Sequence, residues 1–294
     1  MNPVHGLPLS RRQFLALSAT AVGGSAFLAA CGGSSSGTGS SGTITVVQRF
    51  PNSGLVAGDL RLPISLANQA GILDDAGTKD FATITSDIVD VVTGETVVEG
   101  VVTKKHGEGL ALPYWPVEVT VDRTGTYAVV VKGASKEGGA FQVMDPKDVE
   151  VPVHGQAMIP FDTPTEDNAR GVDPICTQTS GICPFHKVTL TQALKSGKPV
   201  VYLVGTPAHC QTGTCAPALE ALTAAAKDFG DKVVIVHAEV YEDEAATKIA
   251  PAVEAYRLDF EPVMFTADAR GIIQKRLDGV FDVNEVRAAV AALL

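Results

Sequence analysis

The chain has 294 residues, with 23 lysines and arginines against 33 aspartates and glutamates, so its formal net charge is −10. An acidic chain without a run of basic residues binds nucleic acid and anionic lipid headgroups poorly, so we expect no nucleic-acid partner. The length is sufficient for two domains, each with its own hydrophobic core.

Residues 1–30 have the pattern of an export signal. Arg11 and Arg12 stand before Phe14 and an uncharged run that continues to Ala30. This run is short and interrupted by Gly and Ser, whereas a membrane-spanning helix needs about 20 predominantly apolar residues. The stretch therefore matches a twin-arginine signal peptide, which directs the chain out of the cytoplasm.

Cys31 ends a stretch, Leu-Ala-Ala-Cys, that resembles a bacterial lipobox, in which the cysteine becomes lipidated and forms the new N-terminus. Residues 31–43 are then mostly Gly and Ser and cannot bury a hydrophobic face, so they are expected to form a flexible tether. The sequence thus predicts a lipid-anchored protein on the extracytoplasmic face of the cell membrane.

Residues 44–159 contain short β-branched segments separated by turn residues, a pattern typical of an antiparallel β-sandwich. Residues 115–133 look like the last hairpin of an immunoglobulin-like module, with Trp115 and Tyr127 in the core or at a corner. His106 lies in a stretch rich in Lys and Gly and is predicted to be a solvated loop residue.

Residues 160–187 are rich in Pro, Asp, Thr and Gly and are predicted to form a linker. The linker contains Cys176 and Cys183, followed by His186. Two cysteines and one histidine fall short of the four ligands of a structural zinc site, and an oxidising compartment favours a disulfide. We therefore expect a Cys176–Cys183 disulfide, no metal and no cofactor.

Two more cysteines, Cys210 and Cys215, remain once Cys31 is used for the lipid anchor. Four cysteines allow three disulfide connectivities, which the sequence leaves open. The short, turn-rich spacings favour Cys210–Cys215 together with the pair in the linker.

From residue 188 onward, buried-type strands alternate with helical segments, and a strand hairpin and a terminal helix follow. This order predicts an α/β region with a parallel core and an added antiparallel hairpin. Residues 243–258 are predicted to be helical, with Pro251 causing a kink. His237 lies in an apolar strand and is interpreted as a core residue.

Residues 188–294 resemble the thioredoxin superfamily. A buried strand leads to a cysteine-bearing turn and a long helix, and Glu261-Pro262 precedes the penultimate strand. The resemblance implies a cis proline at Pro262 that faces a redox-active pair, Cys210 and Cys215. The expected fold is multidomain: an N-terminal all-β immunoglobulin-like sandwich and a C-terminal α/β thioredoxin-like fold.

The cysteine spacing departs from the family, which has two residues between the cysteines where this chain has four, and His209 stands in place of an aromatic residue. On a regular helix, residues five apart are separated by about 8.6 Å, beyond the ~7 Å that a disulfide tolerates. Pro217 is suited to a first helical turn, and Gly213 to a tight return. A helix starting near Thr214 or Cys215 would therefore bring the sulfurs together.

The resemblance implies thiol–disulfide exchange with protein thiols and disulfides outside the cytoplasm. Cys210 would attack, Cys215 would resolve, and Glu261, Pro262 and His209 would bind the substrate. Two alternatives stay open: a Sco-like copper chaperone that uses the two cysteines and His209, and a non-catalytic binding protein with structural disulfides. A peroxiredoxin-type peroxidase ranks below both.

The first prediction concerns the anchor. Cys31→Ser should abolish lipid labelling and release the protein from the membrane fraction, because the acylated sulfur is lost. Replacing Arg11 and Arg12 with lysines should instead retain the precursor in the cytoplasm. Membrane attachment of the Cys31→Ser protein at the level of the unmodified chain would contradict the lipoprotein hypothesis.

Overall fold

The computed structural model describes residues 43–294, all of which belong to one compact unit. Arg11, Arg12, Cys31 and nearly all of the expected tether lie outside the described residues, so export and anchoring stay predictions. Within residues 43–294, no helix has both the length and the apolar character needed to cross a bilayer.

The N-terminal part of the described chain is a pair of four-stranded antiparallel sheets. In the first sheet, the long strand β2 pairs with three others, and in the second the order is β5-β4-β7-β8. The strands are β1 (Thr45–Gln48), β2 (Gly58–Asn68), β3 (Gly71–Ile72), β4 (Thr83–Asp90), β5 (Thr96–Lys104), β6 (Trp115–Val121), β7 (Gly125–Val131) and β8 (Gly139–Val143). We refer to residues 44–143 as the sandwich.

The two sheets enclose one hydrophobic cluster, to which strands of both contribute, including Ile64, Val117 and Val129. Trp115 is fully buried, and its indole N–H donates to the carbonyl of Phe81 over 3.1 Å. Tyr127 is also buried, and its hydroxyl donates to the carbonyl of Arg123, four residues upstream, over 2.9 Å. The prediction that Trp115 and Tyr127 are core or corner residues is confirmed.

The predicted hairpin over residues 115–133 is wrong. Strand β6 pairs with β2 in one sheet, while β7 pairs with β4 and β8 in the other. Residues 122–124 therefore cross between the sheets. The burial pattern of β6 alternates over its second half, and β7 has three consecutive buried residues, but neither pattern specifies the partner strand. The last hairpin of the sandwich is formed by β7 and β8, and β8 is not among the predicted strands.

The sandwich also ends earlier than the expected boundary at residue 159. Residues 155–158 already bond to the C-terminal region: the Gly155 N–H donates to the Ile273 carbonyl over 2.9 Å, and the Met158 N–H to the Gly271 carbonyl over 2.8 Å. Val151 and Met158 are buried in a hydrophobic cluster of that region. The chain therefore leaves the sandwich after β8. Val151 and Met158 pack instead along the outer edge of a second sheet.

That second sheet is mixed, with strand order β10-β9-β11-β12. Strands β9 and β10 are parallel, and β11 is antiparallel to both β9 and β12, as the sequence predicts. The elements are α1 (Leu190–Leu194), β9 (Val200–Val204), α2 (Cys215–Phe229), β10 (Val234–Ala238), α3 (Pro251–Tyr256), β11 (Val263–Ala267), β12 (Ile273–Asp278) and α4 (Val283–Ala291).

Strand β9 is buried along its whole length because helices cover both faces of the sheet. Val201 and Leu203 pack with the helices α2 and α4 on one face. The alternate residues of β9 pack with α1 and α3 on the other face. This two-sided burial explains the continuous apolar run in the sequence.

Helix α3 is shorter than predicted. It spans Pro251–Tyr256, and Pro251 occupies its first turn rather than kinking a longer helix. A proline at that position has no N–H to leave unpaired, so it favours a helix start there. The preceding residues form turns, in which Asp243 accepts the N–H groups of Thr247 and Lys248.

A polar network joins the sandwich to the C-terminal region. Arg61 on β2 forms a buried ion pair with Glu285 on α4, with side-chain exposures of 6% and 8%. Tyr114 donates its hydroxyl hydrogen to Glu285 and accepts the N–H of Asp282 over 2.9 Å. Burial alone would raise the pKa of Glu285, but the neighbouring Arg61 reverses this effect and lowers it.

His106 belongs to this junction and is not the solvated loop residue that the sequence predicts. Its Nδ1 lies 3.1 Å from the carboxylate of Asp282, and that contact is the largest cause of a raised His106 pKa. At Gly279 the C-terminal region comes so close to the sandwich that a Cβ would lie 2.4 Å from the carbonyl oxygen of Arg49. The expected loop residue is thus part of an interface.

The second prediction concerns this junction. Arg61→Met should lower the free energy of unfolding by about 3–5 kcal/mol, because it leaves the Glu285 carboxylate buried without its partner. Denaturant unfolding measures the change. Lys275→Met is the matched control, because its ion pair with Glu118 is largely exposed and should cost below about 1 kcal/mol. Equal losses in the two variants would contradict the assigned role of Arg61.

Candidate functional site

The turn between β9 and α2 brings Cys210 and Cys215 together. Helix α2 begins at Cys215, as the sequence predicts, and Cys210 lies in the loop before it. Gly213 has a φ of +68°, the left-handed conformation that reverses the chain there. The Cys215 N–H donates to the Cys210 sulfur over 3.3 Å. The spacing of five residues between Cys210 and Cys215 is therefore compatible with a direct contact between them.

The two thiols have opposite electrostatic environments. The pKa of Cys210 is lowered to about 4, chiefly by its hydrogen-bonding contact with Cys215, against the opposing effect of burial. The hydroxyl of Thr212, 3.2 Å from the Cys210 sulfur, also lowers it. Cys215 is 1% exposed, and burial raises its pKa well above the ordinary thiol range. At neutral pH, Cys210 is a partly exposed thiolate and Cys215 a buried thiol.

Glu261 is the third member of this site. Its Oε2 lies 3.4 Å from the Cys215 sulfur and accepts the N–H of Thr206 over 3.3 Å. Burial, followed by the charge of Cys210, raises the Glu261 pKa to about 7. The sequence assigns Glu261 to substrate binding, but its side chain points to the buried cysteine. It is therefore placed to exchange a proton with Cys215.

Pro262 lies on the other side of Gly205 from the same cysteine. The Glu261–Pro262 bond is cis, as the thioredoxin resemblance implies. Gly205, at the end of β9, separates the two: a Cβ on Gly205 would lie 3.3 Å from the Pro262 Cβ and 3.5 Å from the Cys215 sulfur. The absence of a side chain at Gly205 lets Pro262 and Cys215 approach each other.

His209 stays outside this group. Among the described residues, the potential ligand atoms within 4.8 Å of one another here belong to Cys210, Cys215 and Glu261. The ring of His209 instead packs edge-on to Tyr241, with centroids 6.1 Å apart. The two-cysteine, one-histidine copper site of the Sco-like alternative is therefore not assembled in this structure.

A second cluster contains the other cysteine pair. Cys176, Cys183, His186 and His237 are all buried, with potential ligand atoms within 4.8 Å of one another. The four cysteines of the described residues are free thiols in this structure, so the expected Cys176–Cys183 disulfide stays a prediction. The Cys183 N–H donates to the Cys176 sulfur over 3.5 Å.

The segment 160–187 is therefore more than a linker, because part of it is buried in the C-terminal region. Cys176, Cys183 and Phe185 belong to the hydrophobic cluster under α2 and α4, because the segment folds back over β10. The sequence reading missed that His237 faces this segment. The sequence signal for this contact is a histidine in an otherwise apolar strand, downstream of two cysteines and another histidine.

Comparisons with known proteins add little to this geometry. No family model and no curated protein matches the chain. Among solved structures, a thioredoxin-family thiol:disulfide interchange protein from Chlorobium tepidum TLS is 14% identical, covers 48% of this chain and 98% of its own, and has a TM-score of 0.35.

Two other solved structures have similar scores. MTB dsbF, in mixed oxidized and reduced forms, is 17% identical, covers 46% of this chain and 96% of its own, and has a TM-score of 0.31. A thioredoxin-like protein from Clostridium perfringens is 17% identical, covers 33% of this chain and 71% of its own, and has a TM-score of 0.26. TM-scores this low do not support an assignment. The interpretation of the site therefore rests on the strand order and the site geometry of this structure.

The third prediction tests the charge state of Cys210. In the reduced protein, its rate of alkylation by iodoacetamide should rise with pH around a midpoint near pH 4, because only the thiolate reacts. Mass spectrometry of the labelled peptide measures the rate. Cys215→Ala should move this midpoint upward, because the thiol contact that stabilises the Cys210 thiolate is lost.

Thr212→Val should produce a smaller upward shift, since the Thr212 hydroxyl is a secondary cause of the lowered pKa. A midpoint near the ordinary thiol value of about 8.5 in the unmodified protein would contradict the assignment.

Proposed function

We propose that the protein is a thiol–disulfide oxidoreductase with a thioredoxin-like catalytic region, anchored by lipid to the extracytoplasmic face of the cell membrane. The observation that carries the activity is the asymmetry of the Cys210–Cys215 pair: one thiolate at the surface and one protonated thiol beneath it, beside a carboxyl group. Protein disulfides and thiols are the proposed substrates, and no cofactor is required.

In the first step, the Cys210 thiolate attacks one sulfur of a substrate disulfide. A bond forms between Cys210 and that sulfur, the substrate S–S bond breaks, and the second substrate sulfur leaves as a thiolate that takes a proton from water. The N–H of Cys215 at the start of α2 supports the attacking thiolate, since backbone N–H groups and the helix dipole stabilise negative charge there.

In the second step, Glu261 accepts the proton of Cys215, and the resulting thiolate attacks Cys210. The mixed disulfide breaks, the substrate leaves as a dithiol, and Cys210 and Cys215 form a disulfide. Two electrons have then passed from the enzyme to the substrate. A Glu261 pKa of about 7 suits this role, because the group can both accept and release a proton at neutral pH. The same steps in reverse oxidise a substrate dithiol.

The substrate chain is proposed to bind beside Cys210, across Pro262 and the ring of His209. Pro262 is held close to the cysteines through Gly205, and His209 is partly exposed and adjacent to Cys210. Glu261 contributes to this surface only through its backbone, since its side chain is directed at Cys215.

We also propose that the sandwich is an immunoglobulin-like module. Its support is the arrangement of two antiparallel sheets around buried Trp115, with Tyr127 donating to a backbone carbonyl four residues upstream. In this proposal the sandwich supports the catalytic region or binds a partner, and it contributes no group to the dithiol site.

The fourth prediction tests the order of attack. Cys215→Ser should accumulate mixed disulfides between Cys210 and substrate proteins, because the resolving sulfur is missing, whereas Cys210→Ser should trap few. Non-reducing electrophoresis with mass spectrometry identifies the linked cysteine. Glu261→Gln should also accumulate mixed disulfides, but fewer than Cys215→Ser, because it slows the deprotonation of Cys215.

The rival functions predict different results. A copper chaperone should bind one Cu(I) through Cys210 and Cys215 after purification with a mild chelator, and we expect no such binding. A binding protein with structural disulfides should trap no partner in either cysteine variant, and that result would overturn the proposed activity.

A further inference from the structure

The cluster of Cys176, Cys183, His186 and His237 takes no part in the proposed exchange reaction. Three of its residues lie in the loop before α1, and His237 lies on β10. Their exposed fractions are 6%, 2%, 0% and 0%, in chain order. Four side chains of metal-binding type therefore converge in the interior from two separate parts of the chain.

Two distances within the cluster match edges of a tetrahedral zinc site. His186 Nε2 lies 3.1 Å from His237 Nδ1, and that Nδ1 lies 3.5 Å from the Cys183 sulfur. With Zn–N bonds of about 2.0–2.1 Å and Zn–S bonds of about 2.3 Å, tetrahedral angles place two nitrogens about 3.3 Å apart and a nitrogen and a sulfur about 3.6 Å apart. The other pairs of ligand atoms lie within 4.8 Å of one another, so the four side chains surround one common position.

A hydrogen bond fixes which nitrogen of His237 faces the cluster as a lone pair. His237 Nε2 lies 3.0 Å from the carbonyl oxygen of Gly205, and only a protonated nitrogen can donate to a carbonyl. In the neutral ring, Nδ1 is then unprotonated and directed at His186 and Cys183. Such support by a backbone carbonyl is the usual way in which proteins orient a metal-binding histidine.

The protein groups alone leave part of this cluster unsatisfied. His186 Nδ1 is buried and has no hydrogen-bond partner among residues 43–294. Buried polar groups are nearly always paired, so this nitrogen is unusual. A cation bound at His186 Nε2 would replace the contact between the two imidazoles and would leave Nδ1 unpaired, so the case for a metal rests on the distances and the donor set.

We propose that Cys176, Cys183, His186 and His237 bind one structural Zn²⁺. Two thiolates and two neutral imidazoles form a closed S₂N₂ set of the kind that zinc prefers, and the two thiolates balance its charge in the interior. Binding releases the two thiol protons to solvent and changes no oxidation state. The sequence alone indicates three ligand-type side chains here and favours a Cys176–Cys183 disulfide in an oxidising compartment, whereas the fold adds His237 as a fourth ligand.

The zinc would fix the segment that supports the dithiol turn. Thr177, next to Cys176, accepts the N–H of Ala208 over 3.1 Å, two residues before Cys210. His237 bonds to Gly205, which separates Pro262 from Cys215. The inference does not rest on the proposed exchange activity, since neither Cys210 nor Cys215 is a ligand.

The experiment measures zinc in the full-length chain, expressed with zinc and purified without chelator. Elemental analysis should find about one zinc per chain, and X-ray absorption of the unmodified protein should show two sulfurs at about 2.3 Å and two nitrogens at about 2.0–2.1 Å. Cys183→Ser and His237→Ala should each lower zinc affinity at least about tenfold. The double variant Cys210→Ser/Cys215→Ser is the matched control and should keep its zinc.

Because His237→Ala could fail to fold, the absorption spectrum of the unmodified chain is decisive by itself. A zinc-free chain with a Cys176–Cys183 disulfide, found by intact mass without reductant, would overturn the proposal, as would copper in place of zinc. Loss of zinc in the Cys210/Cys215 double variant alone would also overturn it, by assigning the metal to the other pair. Failure of the exchange activity with zinc retained would overturn only the proposed function.

Discussion

The close packing around Gly205, at the end of strand β9, is the constraint on which the rest of the site depends. Gly205 separates Cys215 from Pro262 and accepts a hydrogen bond from His237. The next residue, Thr206, donates its N–H to Glu261. Because β9 is buried on both faces, its end has little freedom, and the groups that contact it are held in fixed positions. Both cysteine clusters are thus positioned by one short piece of backbone.

During the proposed reaction, the charge on Cys210 changes in the direction that favours proton transfer from Cys215 to Glu261. In the resting state, the Cys210 thiolate is one of the causes that raise the Glu261 pKa to about 7. When Cys210 enters a mixed disulfide, its negative charge disappears, and this cause of the raised Glu261 pKa is removed, although burial still raises it. Glu261 is therefore more available as a proton acceptor at the step in which Cys215 has to lose its proton.

Local sequence signals predicted the elements with strong periodicity or defined ends. The apolar run of β9 and the start of α2 at Cys215 follow from residue type, with Pro217 in the first turn and Gly213 before it. The cis bond before Pro262 followed from the family resemblance and not from local sequence. These features depend on residues near each other in the chain, or on a familiar order of elements.

Features that depend on distant partners could not be predicted in the same way. The sequence of β6 and β7 does not state that they belong to different sheets, since alternation gives the buried face and not the neighbouring strand. The burial of Cys176, Cys183, Phe185 and His186 depends on the loop folding over β10, and the composition of the loop alone indicates a linker. His237 illustrates the same limit, because its surroundings include His186, which lies 3.1 Å away and 51 residues earlier in the chain.

The sandwich is connected to the dithiol through packed elements. Arg61 on the sandwich holds Glu285 in the first turn of α4, and α4 packs against α2 through residues such as Val286 and Leu219. Helix α2 begins at Cys215, so the junction and the dithiol are joined by one layer of packed helices. A buried ion pair contributes little net stability over apolar packing, but it strongly disfavours arrangements that leave either charge alone. The network therefore fixes how the sandwich meets α4, and this constraint extends through α2 to the buried cysteine.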